Sequence, residues 1–439
     1  MNIKPFRAYR YNNSTVDNAG DCIAPPYDVI DPDQQEKLYN QSPYNIARVI
    51  KGKSCDSDSD DNNVYTRAGG FISQWIQENV LKQDDADTIY VYAQDFQIDG
   101  TTFRRSGFIA LGELQEYGGN IKPHEQTLAG PKADRLNLMR ATGCQIGQIF
   151  MLYSDADKTV DAILAAATEG EKLLSFVDDD NVTHSLFAVT DPAQIATVQE
   201  VMSDKHVFIA DGHHRYETSL NYMRETEMDS TKYRMMTFIN THNEGLVVLP
   251  THRLVHSVDN FDTAKLLADM SENFDIARLA FADDIDKKER FKMMNEAMAL
   301  DFQANNHAFG MYFADGAFYV ATMKDEAVMD SQCPQMGSAW RKLDVAILHK
   351  LILEDYLGID EAALTAQTNV KYIKDFGVAT LNAIEKVDTG KAQALFFMNT
   401  TRADEVAEVA AQGDKMPQKS TFFHPKIYSG LTINAVNLK

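Results

Sequence analysis

Cysteine is scarce and scattered: Cys22, Cys55, Cys144 and Cys333 are the only four, and no two are spaced as Cys-x-x-Cys. Neither a thiolate zinc site nor a disulfide framework is indicated, and a reducing compartment fits. No apolar run approaches the roughly 18 residues that a spanning helix needs, and Met1-Asn2-Ile3-Lys4-Pro5-Phe6-Arg7 holds no apolar signal region. Positive charge is also short, with 42 Lys and Arg against 64 Asp and Glu, a net charge of −22. Such a chain is repelled at long range by nucleic acid and by anionic membrane, so neither is expected as a partner. An anionic ligand must then be held by a local cluster of cations or by a metal. His-Glu-x-x-His is missing and no His-x-x-x-His falls on a predicted helix, so zinc is not favoured, whereas magnesium leaves little trace in a sequence. These absences together predict a soluble, cytoplasmic protein with a small-molecule partner.

What is present suffices for a large core: 44% of the residues are hydrophobic and 10% aromatic. At roughly 150 residues per domain, 439 residues suggest two or three domains. Strands are predicted at 88–93, 107–111, 148–153 and 235–239. Helical spacing of apolar residues predicts helices near 66–80, 131–142, 191–203, 214–226, 262–273, 287–299, 342–357 and 403–411. The alternation is irregular, which argues for an α+β (mixed α/β) architecture. Residues 309–320 read as a hairpin turning at Asp315-Gly316. Polar motifs thin out after residue 257, which divides the chain into 1–257 and 258–439. The Asp- and Ser-rich stretch 54–63 is too polar to order itself and is expected to be mobile. Gly52-Lys53-Ser54 before it resembles the end of a phosphate-binding loop, but Ala47 stands where that motif needs a glycine.

Chemistry concentrates in three places. In the first, the apolar run His206-Val207-Phe208-Ile209-Ala210 enters Asp211-Gly212-His213-His214-Arg215 and then a helix, a strand-to-helix turn suited to an anion. Gly212 permits close backbone approach and Arg215 offers a bidentate contact. The alternative is a capped helix with core histidines. In the second, Pro123-His124-Glu125-Gln126-Thr127 is a loop whose His124 and Glu125 suit general acid–base work or metal ligation, and Lys132 and Arg135 follow one turn apart. The third is Lys415 to Lys426, which gathers cations, hydroxyls and aromatics and includes Lys419 and Ser420. It reads either as a basic tail or as a loop over the site. Near the N-terminus, Pro25 and Pro26 hold Tyr27 and Asp28 in a rigid extended element.

In their order, Pro5-Phe6-Arg7-Ala8, Ala24-Pro25-Pro26-Tyr27-Asp28-Val29-Ile30, Pro123-His124-Glu125, Asp211-Gly212-His213-His214-Arg215-Tyr216 and Met416-Pro417-Gln418-Lys419-Ser420-Thr421 resemble the bacterial and archaeal domain of unknown function 1015 family over nearly the whole chain. The turn alone is also similar to the phosphate-binding Gly-x-x-Arg turn of the ParB, sulfiredoxin and free serine kinase superfamily. That resemblance implies a ParB/sulfiredoxin-like nucleotide-binding core with a larger mixed α/β elaboration. Position 213 is His and no catalytic Cys stands beside the turn, which disfavours sulfiredoxin chemistry, and the net charge disfavours ParB-like DNA binding. The implied activity is a small-molecule kinase using ATP or ADP with Mg²⁺ and a metabolite hydroxyl such as that of free serine. A metal-dependent hydrolase or phosphatase and a non-catalytic nucleotide sensor remain open.

On this reading Gly212, His214 and Arg215, with Lys132, Arg135, Lys419 and Ser420, bind the nucleotide. Glu125, His124, Asp211 and His213 carry the chemistry, and Asp211 and Glu125 hold the metal. Residues 1–257 would be the catalytic domain, and the 415–426 loop of the 258–439 domain would fold back on it. The serine kinases take their base from an N-terminal Glu, for which Asp28 is the nearest positional substitute here. A homodimer is admitted by the sequence without being indicated by it.

Overall fold

The structure is a computed structural model that describes residues 1–438 except 99, 120, 123–128, 375–377, 403–404, 407, 410–411 and 418, and except the side chains of Lys122 and Ala129. It divides into two units, one of residues 1–122, 129–247 and 425–438, the other of residues 248–424. The sequence placed the division after residue 257; here the chain passes between units at Val247 and Val248, and residues 425–438 return to the first.

The first unit is built on a nine-stranded mixed sheet. Its strands are β1 (Ile3–Lys4), β2 (Ile89–Ile98), β3 (Thr101–Glu113), β4 (Ile121–Lys122), β5 (Ile149–Tyr153), β6 (Leu174–Val177), β7 (Thr183–Val189), β8 (Val207–Asp211) and β9 (Tyr233–Asn240). They lie in the order β4-β8-β5-β9-β3-β2-β7-β6, with β1 pairing β3. Pairs β4–β8 and β5–β9 are parallel and the others antiparallel. The β2–β3 hairpin runs in unbroken register from Tyr90↔Ile109 to Ile98↔Thr101. All four strands expected from sequence are present, and three of them, Ile89–Ile98, Thr101–Glu113 and Tyr233–Asn240, are longer than the apolar runs that revealed them.

Five helices of this unit matter for the site: α1 (Val64–Gln77), α2 (Ala129–Thr142), α3 (Thr159–Thr168), α4 (Pro192–Ser203) and α5 (His213–Thr226). Asp191 caps α4 by accepting from the Ala193 N–H, and Pro192 at the first position supplies a helical φ where an N–H is dispensable. Leu164 of α3, Ile195, Val198 and Met202 of α4, and Tyr216 and Leu220 of α5 close one core against Val91, Phe108, Met151, Ile209 and Phe238 of the sheet. Amphipathic helices therefore cover a sheet face, and strand β5 within that sheet is buried throughout.

The 54–63 stretch differs from expectation. Asn63 forms a capping box with Thr66 at the start of α1, and Arg67 of α1 grips Asp58 at 2.7 and 3.2 Å and the Lys53 carbonyl at 2.8 Å. The order comes from a helix cap and an arginine outside or at the margin of the stretch, not from burial within it. Lys53 pairs with Glu36 at 2.6 Å and lies over the Tyr39 ring, a structural setting for the Gly52-Lys53-Ser54 tripeptide.

The second unit holds a six-stranded antiparallel sheet of β10 (Thr251–Val255), β11 (Phe274–Arg278), β12 (Ala308–Phe313), β13 (Phe318–Met323), β14 (Val370–Lys374) and β15 (Ala394–Phe397), in the order β11-β13-β12-β15-β10-β14. β12 and β13 are the expected hairpin. One face packs on α6 (Thr263–Met270) and on residues 345–353, the other on α7 (Lys287–Gln303) and α8 (Ala379–Asp388). The helix read at 342–357 winds as an α-turn over Asp344–Ile347 and then as a π-helix over Leu348–Tyr356, a distinction that apolar spacing does not carry. The helix expected at 403–411 lies partly outside the described residues. Helices and strands are mixed in both units, the α+β class read from the sequence. Among the described residues no helix is long and apolar enough to cross a membrane.

Candidate functional site

Strand β8 buries Val207 and Ile209 completely, then slips register between Ile209 and Asp211 against Met151 and Phe150 of β5. Such a bulge re-aims a side chain at the strand end. Gly212 follows with φ of 102°, a left-handed conformation that favours glycine, and α5 begins with no side-chain cap. A Cβ here would also lie 3.1 Å from Cζ, Nε and Nη2 of Arg215, whose guanidinium covers this position.

Arg215 is 9% exposed. Its Nη2 donates to Asp211 Oδ1 at 3.3 Å and its Nη1 to the Gln148 carbonyl. The other carboxylate oxygen, Oδ2, accepts from Lys426 Nζ at 2.8 Å. Burial works to raise the Asp211 carboxyl, but Lys426, Arg215 and His213 outweigh it and hold the group well below the usual carboxylate range. A carboxylate so stabilised, with both oxygens engaged, is a poor proton acceptor and a firm anchor for two cations. His213 is buried and His214 half-buried in the first turn.

Lys132 pairs with Glu217 of α5 at 2.9 Å, tying α2 to α5. Arg135, one turn further on, meets Asp134 at 2.5 Å, donates to the Ile50 carbonyl at 2.9 Å and lies 3.9 Å over the Tyr27 ring. Arg135 and Arg215 line one cavity of the first unit together with Tyr27, Thr218, Ser429 and Arg234 of β9. Proline restriction before Tyr27 thus serves a position on the cavity wall. Asp28, next in sequence, is exposed.

His124 and Glu125 lie outside the described residues. Lys419 and Ser420 belong to the second unit, where the Lys419 carbonyl accepts from Arg253 Nη2 at 3.2 Å and the Ser420 hydroxyl donates to the Pro417 carbonyl at 2.5 Å. From the same stretch it is Lys426, in the first unit, that reaches Asp211. Among the described residues no group of three or more His, Cys, Asp or Glu side chains is arranged to hold a metal.

Two features of this unit escaped the sequence. Arg234 is the second residue of β9 and is 3% exposed; its one signal was a cation inside the run Tyr233-Arg234-Met235-Met236. His184 of β7 is fully buried, parallel to Phe176 at 4.5 Å, with Nε2 2.9 Å from Asp178 and Nδ1 2.5 Å from the Tyr92 hydroxyl. A carboxylate can only accept, so Nε2 carries the proton and Nδ1 accepts from Tyr92. Burial depresses the imidazole despite Asp178, keeping it neutral near pH 7. Alternation in β7 marks position 184 as inward, but nothing local marks its partners.

Comparison with known proteins adds the following. No curated protein matches the chain. Among solved structures it is similar to a free serine kinase in complex with AMP, at 12% identity over 75% of this chain and 92% of that one with a TM-score of 0.35. It is similar also to a conserved hypothetical protein from Pyrococcus furiosus, at 13% identity over 75% and 95% with a TM-score of 0.34. A third is SbnI with C-terminal truncation from Staphylococcus aureus, at 8% identity over 72% and 84% with a TM-score of 0.33. Likenesses this loose carry no argument about activity. The sequence gives a firmer result: the family model described as Protein of unknown function (DUF1015) matches residues 3–346, a span that includes the Asp211 to Arg215 turn, and the chain belongs to that family.

Proposed function

We propose that the first unit is a small-molecule phosphotransferase that moves a phosphoryl group from ATP or ADP to a metabolite hydroxyl, with free serine the first acceptor to test. One observation carries the reading: Arg215, in the first turn of α5, is oriented by Asp211 and the Gln148 carbonyl and faces a cavity whose other charged wall residues are arginines. Phosphoryl transfer asks the protein chiefly for positioning and for fixed positive charge around the transferred group. Gly212, His213, His214 and Arg215 serve as the phosphate cradle, and Arg135 supplies further charge from α2. Lys132, already paired with Glu217, steadies α2 against α5. Lys419 and Ser420 keep their assignment as nucleotide contacts on the sequence motif alone.

Asp211 acts as an anchor rather than as base or metal ligand, since Arg215 and Lys426 occupy both of its oxygens. Magnesium, bound to the nucleotide phosphates, would supply charge neutralisation; Asp211 does not fit as its ligand, and no step is built through the ion. His124 and Glu125 remain the proposed acid–base pair, on the sequence motif alone.

The test is product analysis by phosphorus NMR after incubation with ATP or ADP, Mg²⁺ and serine. A phosphorylated acceptor whose formation collapses in Arg215→Ala is expected. Inorganic phosphate released equally without acceptor would make the protein a hydrolase, and saturable nucleotide binding with no product would make it a sensor.

A further inference from the structure

The cavity beside α5 contains an electrostatic imbalance. Three arginines, Arg135, Arg215 and Arg234, contribute to its wall, and among the described residues no Asp or Glu does. Arg135 and Arg215 each have a carboxylate partner elsewhere, Asp134 and Asp211. Among the described residues Arg234 has none: its Nη2 donates to the Gly147 carbonyl, while Nε and Nη1 are buried with no hydrogen-bond partner among them. The guanidinium is held beside that of Arg215, which takes the next carbonyl along, Gln148. Burial pushes the Arg234 pKa down to about 9, and the charge of Arg215 pushes the same way. A charge removed from water with two N–H groups unsatisfied and a like charge next to it is costly. An anion entering the cavity and accepting from those N–H groups would offset that cost.

We propose that this cavity is a phosphate site in which Arg234 and Arg215 are paired ligands, with Arg135 as a third cation and the hydroxyls of Tyr27 and Ser429 on the wall as further donors. A phosphate monoester suits it better than a carboxylate. It brings two charges and three terminal oxygens to three cations, where a carboxylate's two oxygens would be used up by one guanidinium. The phosphate is either the nucleotide's or that of a phosphorylated metabolite, the product of the proposed transfer. The inference shares Arg215 with the proposed function and deepens that reading, but Arg234 stands on its own orphaned donors.

The experiment is a thermal-shift and calorimetric titration of the full-length protein with inorganic phosphate, ADP and O-phosphoserine, with acetate as the carboxylate control. Wild-type protein, Arg234→Met and Arg234→Lys are compared. Saturable phosphate binding is expected in the wild type and little with acetate. In Arg234→Met the ligand-free protein should melt no lower than wild type, because an uncompensated buried charge is gone, and phosphate affinity should fall roughly 10- to 150-fold, the range for a charge-assisted contact. Arg234→Lys, which keeps the charge and loses the planar fork, should also lose at least about 10-fold, and it remains informative if the Met variant does not fold. Competition between phosphate and ADP places the nucleotide's phosphate in the cavity; competition with O-phosphoserine alone places the metabolite's there, and both sustain the proposal. No saturable phosphate binding in the wild type overturns it, as does unchanged phosphate affinity in a folded Arg234 variant. Catalysis that survives with an indifferent Arg234 would leave the phosphotransferase reading standing and remove this one. Arg234-dependent phosphate binding without transfer would do the reverse.

Discussion

Asp211 sits between two cations, Arg215 at 3.3 Å and Lys426 at 2.8 Å, in a setting that would otherwise favour its neutral form. Asp211→Asn leaves both cations largely buried without a counter-charge, a change expected to cost on the order of 3 kcal/mol at neutral pH. The sign of its pH dependence follows from the depressed folded-state pKa. The carboxylate's contribution is fully present above the unfolded value of about 4 and is lost as pH falls from there toward the folded value. Urea denaturation of wild type and Asp211→Asn should therefore show a gap that is full at neutral pH and closes in acid. A gap that stays constant across the acid range would mean the substitution acts through shape rather than charge. The cluster Asp211-Gly212-His213-His214-Arg215 is legible in sequence because strand, glycine and helix signals are contiguous. Its closing cation is not, because Lys426 is 215 residues away and nothing local distinguishes it from its neighbours. Arg234 was hidden for the opposite reason: a lone cation in a mostly apolar strand reads as a flaw in the pattern until its surroundings are known.

Among the elements, α1 shows how a polar stretch becomes ordered without a core of its own. The Asp and Ser content of 54–63 correctly marks an exposed segment, and most of its side chains are exposed. Composition says nothing about Arg67 reaching back from the helix, or about Asn63 accepting from the N–H groups of Tyr65 and Thr66. Asn63→Ala removes that cap and is expected to cost about 1 kcal/mol of first-unit stability. Deleting 54–61 behind an intact Asn63 should cost less than the cap does, since shortening an exposed loop changes closure entropy slowly. Melting curves for the two variants check the order; a deletion more damaging than the cap mutation would contradict it. The helices whose apolar faces repeat at three and four were readable for the same reason they are stable, which is that the stripe is what the sheet buries. Winding within residues 342–357 was not readable, because buried Leu348, Leu351 and Ile352 suit an α-helix as well as the π-helix found.

At the scale of the molecule, residues 425–438 belong to the unit that the chain's first residues begin. Asn434 and Ala435 pair with Gln145 and Cys144, Ile433 exchanges backbone hydrogen bonds with Tyr9, and Leu431, Ile433 and Val436 are buried. At about 1.5 to 3 kcal/mol for each large apolar side chain, that segment approaches the net stability of a typical domain, roughly 5–15 kcal/mol. Truncation after residue 424 should leave the first unit unfolded at ordinary temperature, visible as loss of its cooperative melting transition; a retained transition would show the segment to be dispensable. Contiguous sequence could not announce this return, since the closing strand is two residues long. Arg215 as a phosphate ligand is tested most directly by calorimetric titration of ADP with Mg²⁺ into wild type, Arg215→Lys and Arg215→Ala. Both variants are predicted to bind roughly 10- to 150-fold more weakly while remaining folded, with Lys nearly as impaired as Ala because an ammonium lacks the planar fork. Wild-type affinity in a well-folded Arg215→Ala protein would contradict it, leaving Arg215 as no more than the partner of Asp211 and the Gln148 carbonyl.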